Sequence, residues 1–428
     1  MSILIFEDAL VSQLTPITTA RAACCITVGS YRLLDLLQML EPTLLVSWVR
    51  RYLRPRCALD QPELQLLGEA SLPSDGGPEL LLNARAIPNM ATLETIQALL
   101  STASTQQSSS AGGLSGVIWS GDQIAAIVRP KWSWTEIREA TESNMEGLLH
   151  AAQELPKLDL DIPLMSFPHE VIAANMQAIR GNLEHRIASQ RYTQTNDGVF
   201  LARGAKLGEF VLTETSNGPI VIDEDASVGP YTLLRGPIYI GRKARILEHA
   251  AIKDEVSLGH TTKVGGEVEA AVVEPYSNKQ HHGFLGHSYL GSWINLGAGT
   301  CNSDLKNTYG TVNMEYPYGK ATTGMQFLGC VMGDYSKTAI NTGIFTGKVI
   351  GVCSMMYGFV TSNVPSFVNY ARLFGQMTTL PPEVMIATQQ RMFSRRHVEQ
   401  RPCDIQLLHD MYRLTQGERD RFGEALGF

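Results

Sequence analysis

The sequence predicts an α/β domain followed by a parallel β-solenoid and a set of C-terminal helices. Three observations predict it. Short apolar runs alternate with helical stretches over residues 1–155. From Ile220 onward aliphatic residues return at every sixth position. After Pro365 the pattern turns helical. The expected division is 1–155 α/β, 156–197 a helical connector, 198–365 the solenoid and 366–428 a helical cap.

The bulk numbers agree with such a chain. At 428 residues it is long enough for two or three domains, and 44% hydrophobic with 18% charged is an ordinary globular balance. A net charge of -7 without a Lys/Arg-rich run argues against a nucleic-acid partner, whose phosphates need a cationic face. Small molecules are the expected ligands. "MSILIFEDAL" has no basic region before its apolar residues and reads as a first buried strand, not an export signal. No apolar run reaches the ~18 residues of a membrane span, so no membrane partner is expected. Seven cysteines, an odd number without a CxxC, suit reduced thiols in the cytoplasm.

In the α/β domain "SILIF", "TLLVSWV", "GVIWS" and "IAAIV" are the expected strands. "SYRLLDLLQML" is an expected helix with Ser30 as N-cap. The polar segment 101–116 is an expected exposed loop. Ile172, Met176, Ile179, Leu183 and Ile187 draw one apolar stripe along a helix that connects the domains.

The solenoid shows itself by period. Ile222, Val228, Leu234, Ile240, Ile246, Ile252, Leu258 and Val264 keep a strict six, with Ala270 a weaker ninth, and small or β-branched residues stand two positions before each. Neither 3.6 nor 2 sustains that spacing, whereas a coil of three six-residue sides does. Gly229, Gly241, Gly259 and Gly265 follow inward residues, where the chain is expected to turn tightly. The period breaks near residue 272, and three of the ten histidines (His281, His282, His287) lie in the break, expected as a loop extruded from the coils.

The hexads together with "HHGFLGHSYLGSWINLGAGTCNSDLKN" resemble the left-handed β-helix acyltransferases, most closely the bacterial GlmU-type enzymes, which acetylate glucosamine 1-phosphate and then uridylylate it. "KVGGEV", "YSNK", "GFLG", "NLGAGT", "SDLKNTYG" and "MGDYSK" are similar to a GlmU-like group of sugar nucleotidyltransferases with a shortened N-terminal domain. The resemblance is specific over about 200–360 and looser over 1–200. It implies the left hand of the coil and a homotrimer with acetyl-CoA sites between neighbouring solenoids.

In that family a catalytic histidine opens a segment followed by an N-[IL]-G-A-G-T run, and His281, Phe284, Leu285, Gly286 and Asn295 to Thr300 fall into its spacing. The resemblance therefore implies His281 as the base that deprotonates an attacking amine. It places Asn295 and Asn302 near the sugar and acetyl groups, and Lys306 on a phosphate. Gly297, Ala298, Gly299 and Thr300 are the expected acetyl-CoA contacts, through peptide N–H groups. Two departures stand out: Phe284 replaces the family's tyrosine and Ser303 a second one. The family's sugar-phosphate cations have only Lys279, Lys263 and Arg235 as substitutes, so the acceptor is glucosamine 1-phosphate, a similar amino-sugar phosphate or a nucleotide sugar.

Near the N-terminus "LTPITTAR" is similar to a stretch of sugar-phosphate nucleotidyltransferases, but "EDALVSQ" stands where their phosphate-wrapping loop would be. Arg21, Asn83 and Arg85 are the expected phosphate or nucleotide contacts, with Mg²⁺ required if uridylyl transfer is retained. Asp122 in "SGDQ" reads as a turn aspartate. Two other readings stay open. His282 and His287 share the spacing of zinc ligands in γ-class carbonic anhydrases, with His260 or His249 of another subunit as a third ligand. Alternatively, the solenoid is a non-catalytic trimeric scaffold that binds nucleotide sugars.

Overall fold

The structure, a computed structural model, describes residues 2–68, 77–106, 114–129, 132–142, 145–189, 192–371 and 376–424. The chain forms two compact units. One comprises the chain up to Leu14, Arg21–Ile26 and Tyr31–Ser166; the other comprises Thr15–Ala20, Thr27–Ser30 and everything from Phe167 onward.

The first unit is built on a six-stranded sheet in the order Gln65–Leu66, Leu44–Trp48, Ser2–Phe6, Leu80–Asn83, Gln123–Val128, Gly116–Ser120. The first four run parallel, with Ile3 opposite both Leu45 and Leu80. The last two run antiparallel. All four expected strands are present. Leu80–Asn83, absent from the sequence-based expectation, lies in the middle and is buried throughout, which is why its run "LLLN" shows no alternation. Two local expectations are corrected. The helix covers only Leu33–Gln38, and its N-cap is Arg32, whose amide donates to Asp35 (2.8 Å); Ser30 precedes it at a φ of 84°. Residues 101–106 continue the helix Met90–Gln106, so the expected loop is shorter, and 107–113 lie outside the described residues.

In the second unit three parallel sheets stack coil upon coil, each coil giving one strand to each sheet, as Ile238–Ile240, Arg245–Ile246 and Ala251–Lys253 do. Ile220 faces Ile238 and Ile238 faces Val256, an eighteen-residue step. This is the parallel β-helix that the period of six predicts. In most hexads both inward positions enter one core: Ile222 to Val264 at six-residue intervals, and Ile220, Ala226, Ile238, Ala244, Ala250 and Val256 two residues before their partners, with Thr232 and Thr262 buried as polar exceptions. Ala270 is buried at a corner outside that core, which passes instead through Val268 and Ala271.

The glycines serve a different purpose from the one expected. At three of these corners the left-handed residue is Tyr231, Lys243 or Thr261 (φ 57°, 57° and 61°), two places after the glycine. Gly229, Gly241 and Gly259 are needed because a Cβ there would lie 2.6 Å from Glu248 N, 2.5 Å from Leu258 O and 2.7 Å from Pro275 Cδ. They let successive coils approach.

The histidine segment is likewise not an extruded loop. Strands Asn278–Lys279, Phe284–Gly286 and Tyr289–Leu290 take their places on the three sheets, pairing back to Lys263, Glu267 and Val272. The period fades because this coil is shorter: Ser257 faces Val272, a step of fifteen. The true excursion comes later, where Tyr289 faces Val331, a step of forty-two. The extra residues carry the hairpin Asn313–Tyr316/Gly319–Thr322.

The helix Pro168–Ser189 packs Ile179 and Leu183 on Val221 of the solenoid's outer surface. Its Asn175 accepts from Gly29 N (3.0 Å) and Ser257 Oγ (2.8 Å), a polar seam that the apolar stripe does not reveal. At the far end Gln376–Thr379 pairs antiparallel with Val368–Ala371 and ends the stack. Helices Pro382–Ser394, Pro402–Leu414 and Gln416–Glu424 follow.

Candidate active site on the solenoid

The turn between Lys279 and Phe284 carries the histidine pair. Lys279 occupies an inward position, opposite Val264 in the preceding coil, and is 2% exposed. Its ammonium reaches out of the core to donate to Gly265 O (2.7 Å) and His281 O (2.9 Å). Burial pushes it down to about 8. The expected substrate contact thus has its ammonium committed to two carbonyls, one of which fixes the backbone of His281.

His281 and His282 are exposed. The His281 imidazole makes no side-chain hydrogen bond among the described residues. The amide of Gly299 in the next coil donates to His282 O (3.1 Å). A Cβ on Gly283 would lie 2.1 Å from Thr300 O. The histidine turn and the Gly297–Thr300 run, seventeen positions apart at both contacts, therefore rest against each other.

The amides of that run are mostly spent within the protein. Leu296 N–H donates to Asn278 O (2.9 Å), Gly297 N–H to Thr338 Oγ1 (2.9 Å) and Thr300 N–H to Gly297 O (3.1 Å). With Gly299 bound to His282, the Ala298 N–H is the donor of 296–300 without a partner among the described residues. Thr300 and Thr338 share a hydroxyl hydrogen bond (2.7 Å), a support that sequence reasoning did not foresee.

Asn295 is exposed on its coil and its Oδ1 accepts from Asn278 (3.5 Å). Phe284 is half-buried at the start of its strand. Asn302 is buried, and its amide is turned onto the backbone of Gly286, accepting from N (2.9 Å) and donating to O (3.0 Å). Lys306 lies on the excursion and donates to Thr311 O (2.6 Å).

A second imidazole has a carboxylate. His287 Nδ1 lies 2.9 Å from Asp304 Oδ2, with 11% and 14% of the two side chains exposed. Gly286 makes room, since a Cβ there would meet Asp304 Oδ2 at 2.4 Å, and Phe327 stacks on the imidazole (5.3 Å). The aspartate of "SDLKN" was the available signal for this pair. His249 stacks on Tyr231 and His260 packs edge-on against Tyr276, so these imidazoles are engaged with aromatic rings.

Charged groups crowd the same sheet below. Arg235 pairs with Asp254, and Lys253 with Glu267 (2.6 Å) and Glu269 (2.9 Å).

In the other unit Arg85 is fully buried and donates to Asp8 Oδ1 (2.9 Å), Asp8 Oδ2 (2.6 Å), Met165 O (2.7 Å) and Gln123 Oε1 (2.7 Å). Asn83 donates to Asp8 (2.9 Å) and Ile124 O (3.0 Å) and accepts from Arg85 N (3.0 Å). Glu7 accepts from Arg50 (2.9 Å) and Ala23 N (3.0 Å), while Arg21 O accepts from Arg50 (2.9 Å). The acidic pair of "EDALVSQ" is thus consumed by internal cations. Asp122 is exposed in a turn. Among the described residues no three His, Cys, Asp or Glu side chains are placed to share a metal ion. With its carboxylate committed to Arg85, Asp8 is not free to hold Mg²⁺.

Residues 3–191 match the family model described as sugar nucleotidyl transferase. A bifunctional sugar-1-phosphate nucleotidylyltransferase/acetyltransferase of Sulfurisphaera tokodaii is 29% identical over 142 residues, 33% of this chain and 35% of that protein. The bifunctional protein GlmU of Acidithiobacillus ferrooxidans is 35% identical over 95 residues, 21% of each chain. The UDP-N-acetylglucosamine acyltransferase of Francisella novicida aligns with 53% of this chain and 76% of its own at 16% identity, with a TM-score of 0.34, too distant to bear on function. The chain spans about a third or less of the length of these two sequence relatives. Over residues 3–191 the chain is similar to sugar nucleotidyl transferases, and in shorter stretches to a bifunctional sugar-1-phosphate nucleotidylyltransferase/acetyltransferase and to GlmU proteins.

Proposed function

We propose that the solenoid transfers an acetyl group from acetyl-CoA to the amine of an amino-sugar phosphate, glucosamine 1-phosphate or a similar acceptor, or of a nucleotide sugar. The observation that carries this reading is the hydrogen bond from Gly299 N–H to His282 O (3.1 Å), which sets an unencumbered His281 against the glycine run. His281 takes the proton as the amine attacks the thioester carbonyl. The Ala298 N–H is the donor best able to meet the oxyanion that forms. The nitrogen–carbon bond forms, the carbon–sulfur bond breaks, and the proton leaves by way of the imidazole to the departing thiolate. His287, its Nδ1 held by Asp304, shapes the coil. Homotrimerisation would bring a neighbour's solenoid to the same groove. Seven cysteines, an odd number without a CxxC, support a reducing, cytoplasmic setting.

The zinc and scaffold readings are not favoured, since a sequence relative carries a nucleotidylyltransferase/acetyltransferase name. Uridylyl transfer is a second reading, favoured by the match over 3–191 and opposed by the Asp8–Arg85 pair.

The test is a coupled assay with acetyl-CoA, glucosamine 1-phosphate and UTP on the parent, His281→Ala and His287→Ala. The parent should release thiol only with an amine acceptor, and His281→Ala should lose about 10²-fold or more of that rate. Thiol release unaffected by His281→Ala, with loss in His287→Ala instead, removes His281 as the base. Sedimentation of the full chain tests the trimer.

A further inference from the structure

On one sheet of the solenoid the outward residues of successive rungs are Arg245, Lys263 and Asn278, since their neighbours Ile246 and Val264 point into the core. Adjacent rungs stand ~4.8 Å apart, so the Arg245 and Lys263 stems are close neighbours on one face. The C-terminal segment adds two more cations. Phe393 of the helix Pro382–Ser394 packs on Trp293 (4.4 Å), which stacks on Tyr276 (4.2 Å), and this holds the helix end against the coils. Just beyond it Arg396 donates to Asn278 Oδ1 (2.5 Å), one rung from Lys263, and Arg395 adjoins it in the chain.

Four cations are therefore gathered from two coils and a helix end. None of the four makes an ion pair among the described residues, whereas Arg235 and Lys253 on the neighbouring sheet each have a carboxylate. Both Lys263 and Arg396 hold their protons less firmly than usual, through burial first and then through repulsion within this group. Such an arrangement is unfavourable unless an anion joins it.

We propose that Arg245, Lys263, Arg395 and Arg396 form an anion site that takes a diphosphate. One phosphate would face a single rung, while two linked phosphates span both rungs and meet the guanidinium fork of Arg396 from above. Two molecules of the proposed reaction carry this chemistry, coenzyme A and a nucleotide sugar. Only the choice between them rests on the function proposed above.

The experiment is isothermal titration of the full-length protein with inorganic pyrophosphate, against sulfate at matched ionic strength. Pyrophosphate should bind and sulfate should be much weaker. Lys263→Met and Arg396→Met should each weaken pyrophosphate by roughly tenfold or more, with melting temperature reporting that each variant is folded. His281→Ala should bind pyrophosphate as the parent does, so failure of the acetyl-transfer reading leaves this result untouched. Displacement by coenzyme A assigns the acyl donor as the source, and displacement by UDP-N-acetylglucosamine assigns the nucleotide sugar. Equal affinity in the parent and a folded Lys263→Met/Arg396→Met double variant, sulfate binding as tightly as pyrophosphate, or displacement by neither ligand overturns the proposal.

Discussion

Replacing Lys279 by methionine tests the most unusual element of the candidate site, an ammonium at an inward position of the coil. The side chain is 2% exposed, and burial lowers its proton affinity from 10.5 to about 8. Each pKa unit corresponds to about 1.4 kcal/mol, so keeping the ion at pH 7 costs about 3 kcal/mol relative to the unfolded chain. The folded value lies below the unfolded one, so between about pH 8 and ~10.4 the unfolded chain binds more protons, and stability rises with pH there. The cost is full below about pH 8 and is relieved across that window. Methionine removes the charge but strips Gly265 O and His281 O of their donor, about 1–3 kcal/mol each where the carbonyls stay dry. These effects oppose each other at pH 7, so the pH slope is the diagnostic quantity. Urea unfolding of parent and Lys279→Met should show the parent gaining about 3 kcal/mol on the variant between pH 7 and 10.5. Lys337, also lowered to about 8 by burial, is common to both proteins and cancels. A difference that stays flat with pH would refute the claim that this ammonium is desolvated.

Three further outcomes follow from the same contacts. Gly241→Ala places a methyl group 2.5 Å from Leu258 O and should lower stability by about 1–3 kcal/mol, whereas Lys243→Gly relieves a φ of 57° and should leave it unchanged or raise it by up to about 1 kcal/mol. Equal melting temperatures for Gly241→Ala and the parent would show that coil spacing does not depend on that glycine. Asp304→Asn removes the carboxylate 2.9 Å from His287 and should lower the melting temperature while leaving the pH profile of acetyl transfer in place if the proposed base, His281, acts; a displaced profile would implicate His287 instead. Asp8→Ala leaves the fully buried Arg85 guanidinium without its carboxylate and should destabilise the first unit by about 3–5 kcal/mol, read as an earlier thermal transition; a variant as stable as the parent would mean that Arg85 does not depend on Asp8.

The solenoid was legible because a stacked coil writes its inward residues into the chain at a fixed interval, and Ile222 to Val264 keep that interval without a gap. Corner chemistry was not, because glycine suits both a left-handed turn and a close approach; only the neighbouring coil, far away in sequence, tells Gly241 from Lys243. Leu80–Asn83 escaped notice because a strand buried on both faces carries no alternation. At the site, "HHGFLG" and "NLGAGT" gave away which segments meet. That the amides of Leu296, Gly297 and Gly299 are consumed internally depends on Asn278, Thr338 and His282, and no local pattern announces those partners.

The first and last coils depart from the regular step, Val199 facing Ile220 at twenty-one residues and Met355 facing Asn369 at fourteen, but the largest departure falls at the candidate site. Coils from Ile220 to Val256 advance by eighteen residues with apolar inward positions. Between Ser257 and Val331 the step shortens to fifteen, lengthens to forty-two, admits a lysine into the core column and buries a histidine with an aspartate. A lattice that repeats cheaply has no stability reason to accept these features together, whereas a site requires its local rules to be broken. Lys279 links the two effects, since the ion that destabilises the column also holds the backbone of His281. Lys279→Met should therefore lose acetyl transfer even where its stability matches the parent's, and a fully active variant would separate the irregular coil from the chemistry.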